Sequence, residues 1–154
     1  MESLFERLNI FILPPLLYLI TGLSLSAVTL MKGKKKFETR IFAILCLWFT
    51  LLSPVFISHF LFKGNVKLIM VIERSIHALY AFLPWIGIEF IYSITKYRNR
   101  TISITTFIAS AIISVSTFTD YYINGLWEYP WGYIAKGGIM LQLFGALSFL
   151  MIVY

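Results

Sequence analysis

The charged residues of this chain are separated by long apolar stretches. Five segments, residues 9–31, 41–62, 75–95, 101–119 and 137–154, together contain a single Asp, Glu, Lys or Arg, which is Glu89. The hydrocarbon core of a membrane is about 30 Å thick and needs roughly 20 apolar helical residues to cross it. Continuous apolar runs favour helices over the alternating strands of a barrel. The pattern therefore predicts an all-α bundle of about five membrane-spanning helices, forming a single region over residues 1–154.

Composition points the same way. Of the 154 residues, 59% are apolar and only 13% are charged, whereas soluble domains carry about 25% charged residues. These proportions exclude a soluble enzyme, and a single cysteine, Cys46, excludes an intrachain disulfide and a Cys-based zinc site. We expect a multi-pass protein of the plasma membrane, with no cofactor.

The basic residues are unevenly distributed along the chain. Eight of the thirteen lie in two short segments, residues 32–40 and 96–100. Short loops rich in Lys and Arg stay in the cytoplasm, which predicts an N-terminus outside and a C-terminus inside. The basic segment 32–40 contains the residues expected to contact anionic lipid: Lys32, Lys34, Lys35, Lys36 and Arg40. Lipid contact accounts for the net charge of +6 without a nucleic acid partner.

The third predicted span begins with a polar group. Glu73 and His77 are one helical turn apart and can meet on one face. Such a pair can bind a metal, take up a proton or sense pH, and His59 is the one further histidine that could join it. The alternative is an interfacial salt bridge, and two ligands alone do not make a metal site.

Two further features are candidates for ligand binding. An ionised carboxylate inside a membrane is costly, which marks Glu89 as functional unless hydration or Lys96 satisfies it. The segment 120–138 is rich in Trp and Tyr, including Trp127, Trp131 and Tyr133, and predicts either an aromatic lid on the membrane or the wall of an apolar pocket.

Prolines and small residues predict how the helices bend and pack. Pro14, Pro15, Pro54 and Pro84 fall inside the first three spans, where each tends to kink its helix. Close packing is expected along Gly22 and Ser26 of the first span, at Gly138 and Gly145 of the fifth, and along a serine-rich stripe of the fourth. The fourth span is predicted to be the most enclosed. Packing within the chain is favoured over a homodimer contact, which stays open.

One segment resembles a known family. It reads DYYINGL at 120–126, PWGY at 130–133 and GG at 137–138. This stretch is similar to the loop before the fifth helix in the seven-helix N-terminal membrane region of bacterial sensor histidine kinases. The third span, with Arg74, Pro84 and the aromatic run 85–92, is similar in character to the third helix of that region.

The resemblance implies a non-catalytic role in two-component signalling. The helices would anchor a dimeric kinase and transmit an external or membrane signal, and two more helices and a cytoplasmic kinase would follow Tyr154. The absence of a basic anchor after the fifth span also predicts a fragment of a longer chain. The residues themselves show no enzyme motif and leave other functions open: a complete small transporter or membrane-complex subunit using Glu89, or an intramembrane enzyme or haem carrier using His59 and His77.

Overall fold

The computed structural model describes residues 12–33, 36–129 and 132–153, with no side-chain description for 151–153. This part of the chain is mostly helical with a small two-stranded sheet. The elements in chain order are α1 (Leu13–Lys32), α2 (Phe37–Thr50), α3 (Leu52–Leu61), α4 (Val66–Tyr80), α5 (Leu83–Thr95), α6 (Arg100–Ser116), β1 (Ile123–Tyr129), β2 (Gly132–Gly137) and α7 (Ile139–Val153).

Prolines set two of the helix boundaries, as their lack of an N–H requires. Pro54 lies in the first turn of α3, and the break before it is a tight turn in which the Leu51 N–H bonds to the Trp48 carbonyl. Pro84 lies in the first turn of α5 and separates it from α4. Pro14 and Pro15 also occupy a first turn, that of α1, where a missing N–H is harmless. The expected kink inside the first helix is therefore not found.

The third helical segment begins earlier than the sequence predicts. Helix α4 starts at Val66, so the predicted start of the third span at residue 75 is wrong for the helix. The Asn65 side chain caps this helix by accepting a hydrogen bond from the Leu68 N–H at 3.1 Å. The charges of Glu73 and Arg74 do not end the helix because both side chains find partners within the fold.

Two helical stretches in the described part of the chain, Leu13–Lys32 and Phe37–Leu61, are long and apolar enough to cross a membrane. Arg100–Ser116 and Ile139–Leu150 are apolar but shorter. At 1.5 Å per residue, the 17 residues of α6 extend about 26 Å. The α4–α5 segment is interrupted at residues 81–82, so none of its uninterrupted helices has spanning length.

Contacts between distant residues define the two ends of the bundle. Lys96, after α5, forms an ion pair with Glu38 at the start of α2, which joins the two basic segments at one end. At the other end, the β1–β2 hairpin packs near α3 and α4. These contacts place the two basic segments at one end of the bundle and the hairpin at the other.

Packing agrees with part of the small-residue prediction. A Cβ at Gly22 would collide with Thr50, and Ser26 donates to the Ala43 carbonyl at 3.1 Å, so α1 and α2 approach closely there. By contrast, no atom lies within 4 Å of a Cβ built on Gly145, so that glycine serves no close contact in the described structure. The most enclosed helix is α5 and not α6, because only one stripe of α6 is buried.

Candidate functional site

Glu73 and His77, the polar residues predicted at the start of the third span, form a buried cluster with His59. His59 Nε2 lies 3.0 Å from Glu73 Oε1, and His77 Nε2 lies 3.3 Å from Glu73 Oε2. The hydroxyl of Tyr122 lies 3.1 Å from His77 Nδ1. His59 and Glu73 are 2% and 3% exposed, and Tyr122 is fully buried. We call His59, Glu73 and His77, together with the Tyr122 that contacts His77, the His–Glu–His cluster.

Three elements contribute to the cluster. His59 lies near the end of α3, Glu73 and His77 lie one turn apart on α4, and Tyr122 immediately precedes β1. Because Glu73 sits between two imidazoles, its carboxylate links α3 to α4. The contact between His77 and Tyr122 also joins α4 to the base of the hairpin, by which we mean the residues where β1 begins.

The electrostatics of the cluster favour an ionised carboxylate. Burial acts to raise the pKa of Glu73, but the adjacent imidazoles of His59 and His77 outweigh it and hold that pKa below its usual value. Burial, together with the nearby Glu73 charge, raises the pKa of the Tyr122 phenol well above its usual range. The phenol therefore stays protonated and can donate a hydrogen bond to His77.

His59 is only partly satisfied by these contacts. Its approach to Glu73 lacks the alignment of a hydrogen bond, and neither ring nitrogen has a hydrogen-bond partner among the described residues. The ring meets aromatic neighbours edge-on, with centroids 6.1 Å from Tyr133 and 6.2 Å from Phe56. A buried imidazole nitrogen without a partner is costly unless another molecule satisfies it.

A cavity of about 280 Å³ lies beside the cluster. The hairpin and α7 form one side of it, and α3 and α4 form the other. Its polar wall consists of His59, Glu73, His77 and Tyr133, and its apolar wall consists of Leu52, Val55, Phe56, Ile134, Ala135 and Leu141.

Arg74 attaches the hairpin to the bundle. Its guanidinium donates to the Phe118 carbonyl at 3.1 Å, to the Ile123 carbonyl at 2.7 Å and to Asp120 Oδ1 at 2.6 Å. These bonds join α4 to the end of α6 and the start of β1. Arg74 thus fixes the position of the hairpin over the cluster. The sequence alone does not predict this role.

The segment predicted as an aromatic lid is an antiparallel hairpin. Trp127 pairs with Ile134 in the register, and the Lys136 ammonium lies 4.0 Å from the Trp127 ring centroid. Trp127 is 56% exposed and does not line the cavity, whereas Tyr133 does. The predicted ligand-binding residue Trp131 lies outside the described residues.

Glu89 lies apart from the cluster, towards the end that holds the basic segments. Its carboxylate accepts hydrogen bonds from Ser103 and from Arg98, the latter at 3.1 Å. Lys96, the partner expected from the sequence, is paired with Glu38 instead. The buried Glu89 carboxylate is thus satisfied by an ion pair with Arg98 and a hydrogen bond from the Ser103 hydroxyl.

The cluster can exchange protons and bind a polar group, but its geometry is not that of a metal centre. In the described part of the chain, no three His, Cys, Asp or Glu residues are arranged to hold a metal ion. The imidazoles approach the carboxylate oxygens individually instead of converging on a common point.

Of the six predicted ligand-binding residues, the structure brings Glu73, His77 and Tyr133 together around the cavity and leaves Glu89 and Trp127 apart from it. The sequence does not predict Tyr122 as a member of the cluster, because its contact with His77 depends on how the hairpin packs against α4. No protein-family model, curated protein or solved structure matches this chain.

Proposed function

We propose that this chain is the signal-input and anchoring region of a multi-pass membrane protein, without catalytic activity of its own. The observation that carries the proposal is the buried His–Glu–His cluster, which lies beside a cavity and beneath a hairpin at the end opposite the basic segments. In this proposal the cluster faces the outside, and a signal received there changes how α3, α4 and the hairpin pack.

The multi-pass topology is part of the proposal. It is supported by two helices of spanning length, two shorter apolar helices and the location of the hairpin at the end opposite the basic segments. The Lys96–Glu38 pair places both basic segments at one end, where the cytoplasmic headgroups would lie. The basic residues there would bind anionic lipid.

The kind of signalling protein is proposed from the sequence resemblance alone, which is to the seven-helix membrane region of sensor histidine kinases. The alternative of a transporter subunit needs Glu89 to line a path. Because the Glu89 carboxylate is held by Arg98 and Ser103, the input region is favoured. Reading the coding sequence after the Tyr154 codon tests the choice: further apolar spans and a kinase or cyclase are expected, and an immediate stop codon in an intact gene would contradict it.

Cysteine labelling tests the topology with a matched pair of substitutions. Tyr121 and Tyr97 are 70% and 65% exposed and lie at opposite ends of the bundle. With Cys46→Ala as the background, a membrane-impermeant maleimide should label Tyr121→Cys in intact cells and Tyr97→Cys only after permeabilisation. Labelling of both in intact cells, or the reverse pattern, would overturn the proposed arrangement.

A further inference from the structure

We infer that the cavity beneath the hairpin binds a small, mainly apolar molecule carrying one hydroxyl group, with His59 as its polar contact. The inference rests on the proposed function, since it gives the chemical class of the signal. It is carried by two independent observations: the size and walls of the cavity, and the ring nitrogens of the buried His59 on its wall, which have no hydrogen-bond partner among the described residues.

The cavity limits the size and polarity of the ligand. An apolar cavity of about 150 Å³ is known to hold benzene, so about 280 Å³ has room for a substituted ring or a short branched chain. Six of its ten lining residues are apolar aliphatic or Phe side chains. A strongly hydrated molecule would lose too many water contacts on entry.

The chemistry of His59 selects the polar group. With a hydrogen on Nε2 facing the Glu73 carboxylate, a neutral His59 ring has an Nδ1 that accepts a hydrogen bond. A protonated ring has an Nδ1 that donates one. A hydroxyl group can serve as donor or acceptor, so it satisfies Nδ1 in both states, which neither an ether nor an ammonium can do.

The charge of the cluster argues against ionic ligands. An anion would be repelled by the buried Glu73 carboxylate. A cation would have to displace the imidazoles of His59 and His77, which lie 3.0 and 3.3 Å from the two carboxylate oxygens. A neutral hydroxyl compound avoids both costs.

Nuclear magnetic resonance of the intact chain tests the inference directly. The chain has only two histidines, so histidine labelled with ¹⁵N in nanodisc-embedded protein gives ring signals from His59 and His77 alone. Phenol is the probe and benzene its matched control. Phenol should shift the His59 signals saturably and bind about five- to tenfold more tightly than benzene, as expected for one hydrogen bond of about 1 kcal/mol.

Variants separate recognition from partitioning into lipid. In His59→Phe, phenol should lose its advantage over benzene, with the His77 signals as the readout. Ala135→Phe, which fills the cavity, should abolish saturable binding, and Val55→Phe is a second filling variant from the opposite wall. Each variant is used only where its histidine signals match the dispersion of the unmodified protein.

Two results would overturn the inference: phenol shifts that grow linearly with concentration, or equal affinity for phenol and benzene in the unmodified protein. Both are measurable even if no filling variant folds. Neither affects the cysteine-labelling pattern of Tyr121→Cys and Tyr97→Cys. Loss of that pattern would remove the proposed function instead, so the two failures are distinguishable.

Discussion

Replacement of Glu73 by Gln tests whether the His–Glu–His cluster holds the outer end of the bundle together. The substitution keeps the shape of the side chain but removes its charge, which leaves His59 and His77 without a common anionic partner. Glu73 is almost completely buried, and leaving a buried polar group without its partner typically costs about 1–3 kcal/mol, or more where the partner is charged. Because Gln retains one carbonyl oxygen, we expect a loss of about 3 kcal/mol in the free energy of unfolding.

Thermal unfolding in detergent measures the effect. For a chain of about 150 residues, 1 kcal/mol corresponds to roughly 2–4 °C, so Glu73→Gln should lower the midpoint by about 6–12 °C at pH 7. The matched control is Glu128→Gln, the same chemical change at an exposed position of the hairpin. We expect that control to stay within about 0.5 kcal/mol of the unmodified protein.

The pH dependence provides a second, independent check. A carboxyl group whose pKa is lowered by folding stabilises the protein fully above its unfolded pKa, about 4.3 for Glu, and loses that contribution as pH falls through the lower folded value. The difference between the unmodified protein and Glu73→Gln should therefore be constant near neutrality and shrink below about pH 4.3. An unchanged midpoint at pH 7, or a difference that persists in acid, would refute the stabilising contacts of the Glu73 carboxylate with the two imidazoles.

Two pairs of substitutions test helix packing and hairpin attachment. Gly22→Ala should cost about 1–3 kcal/mol of unfolding free energy because its Cβ would collide with Thr50. Gly145→Ala is the control and should be neutral or stabilising, since its Cβ would meet open space. Equal unfolding midpoints for the two variants would contradict the close contact of α1 and α2. Arg74→Gln removes three hydrogen bonds from a charged donor and should lower stability by about 2–4 kcal/mol, with increased protease cleavage in the hairpin. Asp120→Asn should cost less than about 1 kcal/mol, since that carboxylate is 86% exposed; a larger cost than for Arg74→Gln would show that the ion pair and not the carbonyl bonds fixes the hairpin.

The sequence predicts most helices because charge-free runs and prolines act locally. The structure confirms helices within all five predicted segments, and it confirms Pro84 and Pro54 as places where helical bonding is interrupted. The sequence predicts too late a start for α4 because the charges of Glu73 and Arg74 are typical of the edge of a membrane. Both side chains are instead partnered within the fold, and such long-range pairing cannot be deduced from local hydropathy.

The candidate site was predictable only in part for the same reason. The one-turn spacing of Glu73 and His77 places them on one face by helix geometry alone. The participation of His59 and Tyr122 depends on how α3 and the hairpin pack against α4, over separations of 14 and 49 residues from Glu73 in the sequence. The sequence does not predict the hairpin because its aromatic residues are typical of the headgroup layer as well as of strands, so they do not distinguish the two.

The arrangement of the cluster explains how an event at one residue would reach three elements. Glu73 links α3 and α4 through its two imidazole contacts, and His77 continues the link to Tyr122 at the base of the hairpin. Arg74, next to Glu73 on α4, donates a hydrogen bond to the carbonyl of Ile123, the residue that follows Tyr122. Because the two residues are adjacent on a rigid helix, a rearrangement that displaces Glu73 also displaces the anchor of the hairpin. A ligand shifts such an equilibrium only by the difference in its affinity for the two arrangements, so a molecule that satisfies His59 in one arrangement alone would move the hairpin and α4 together.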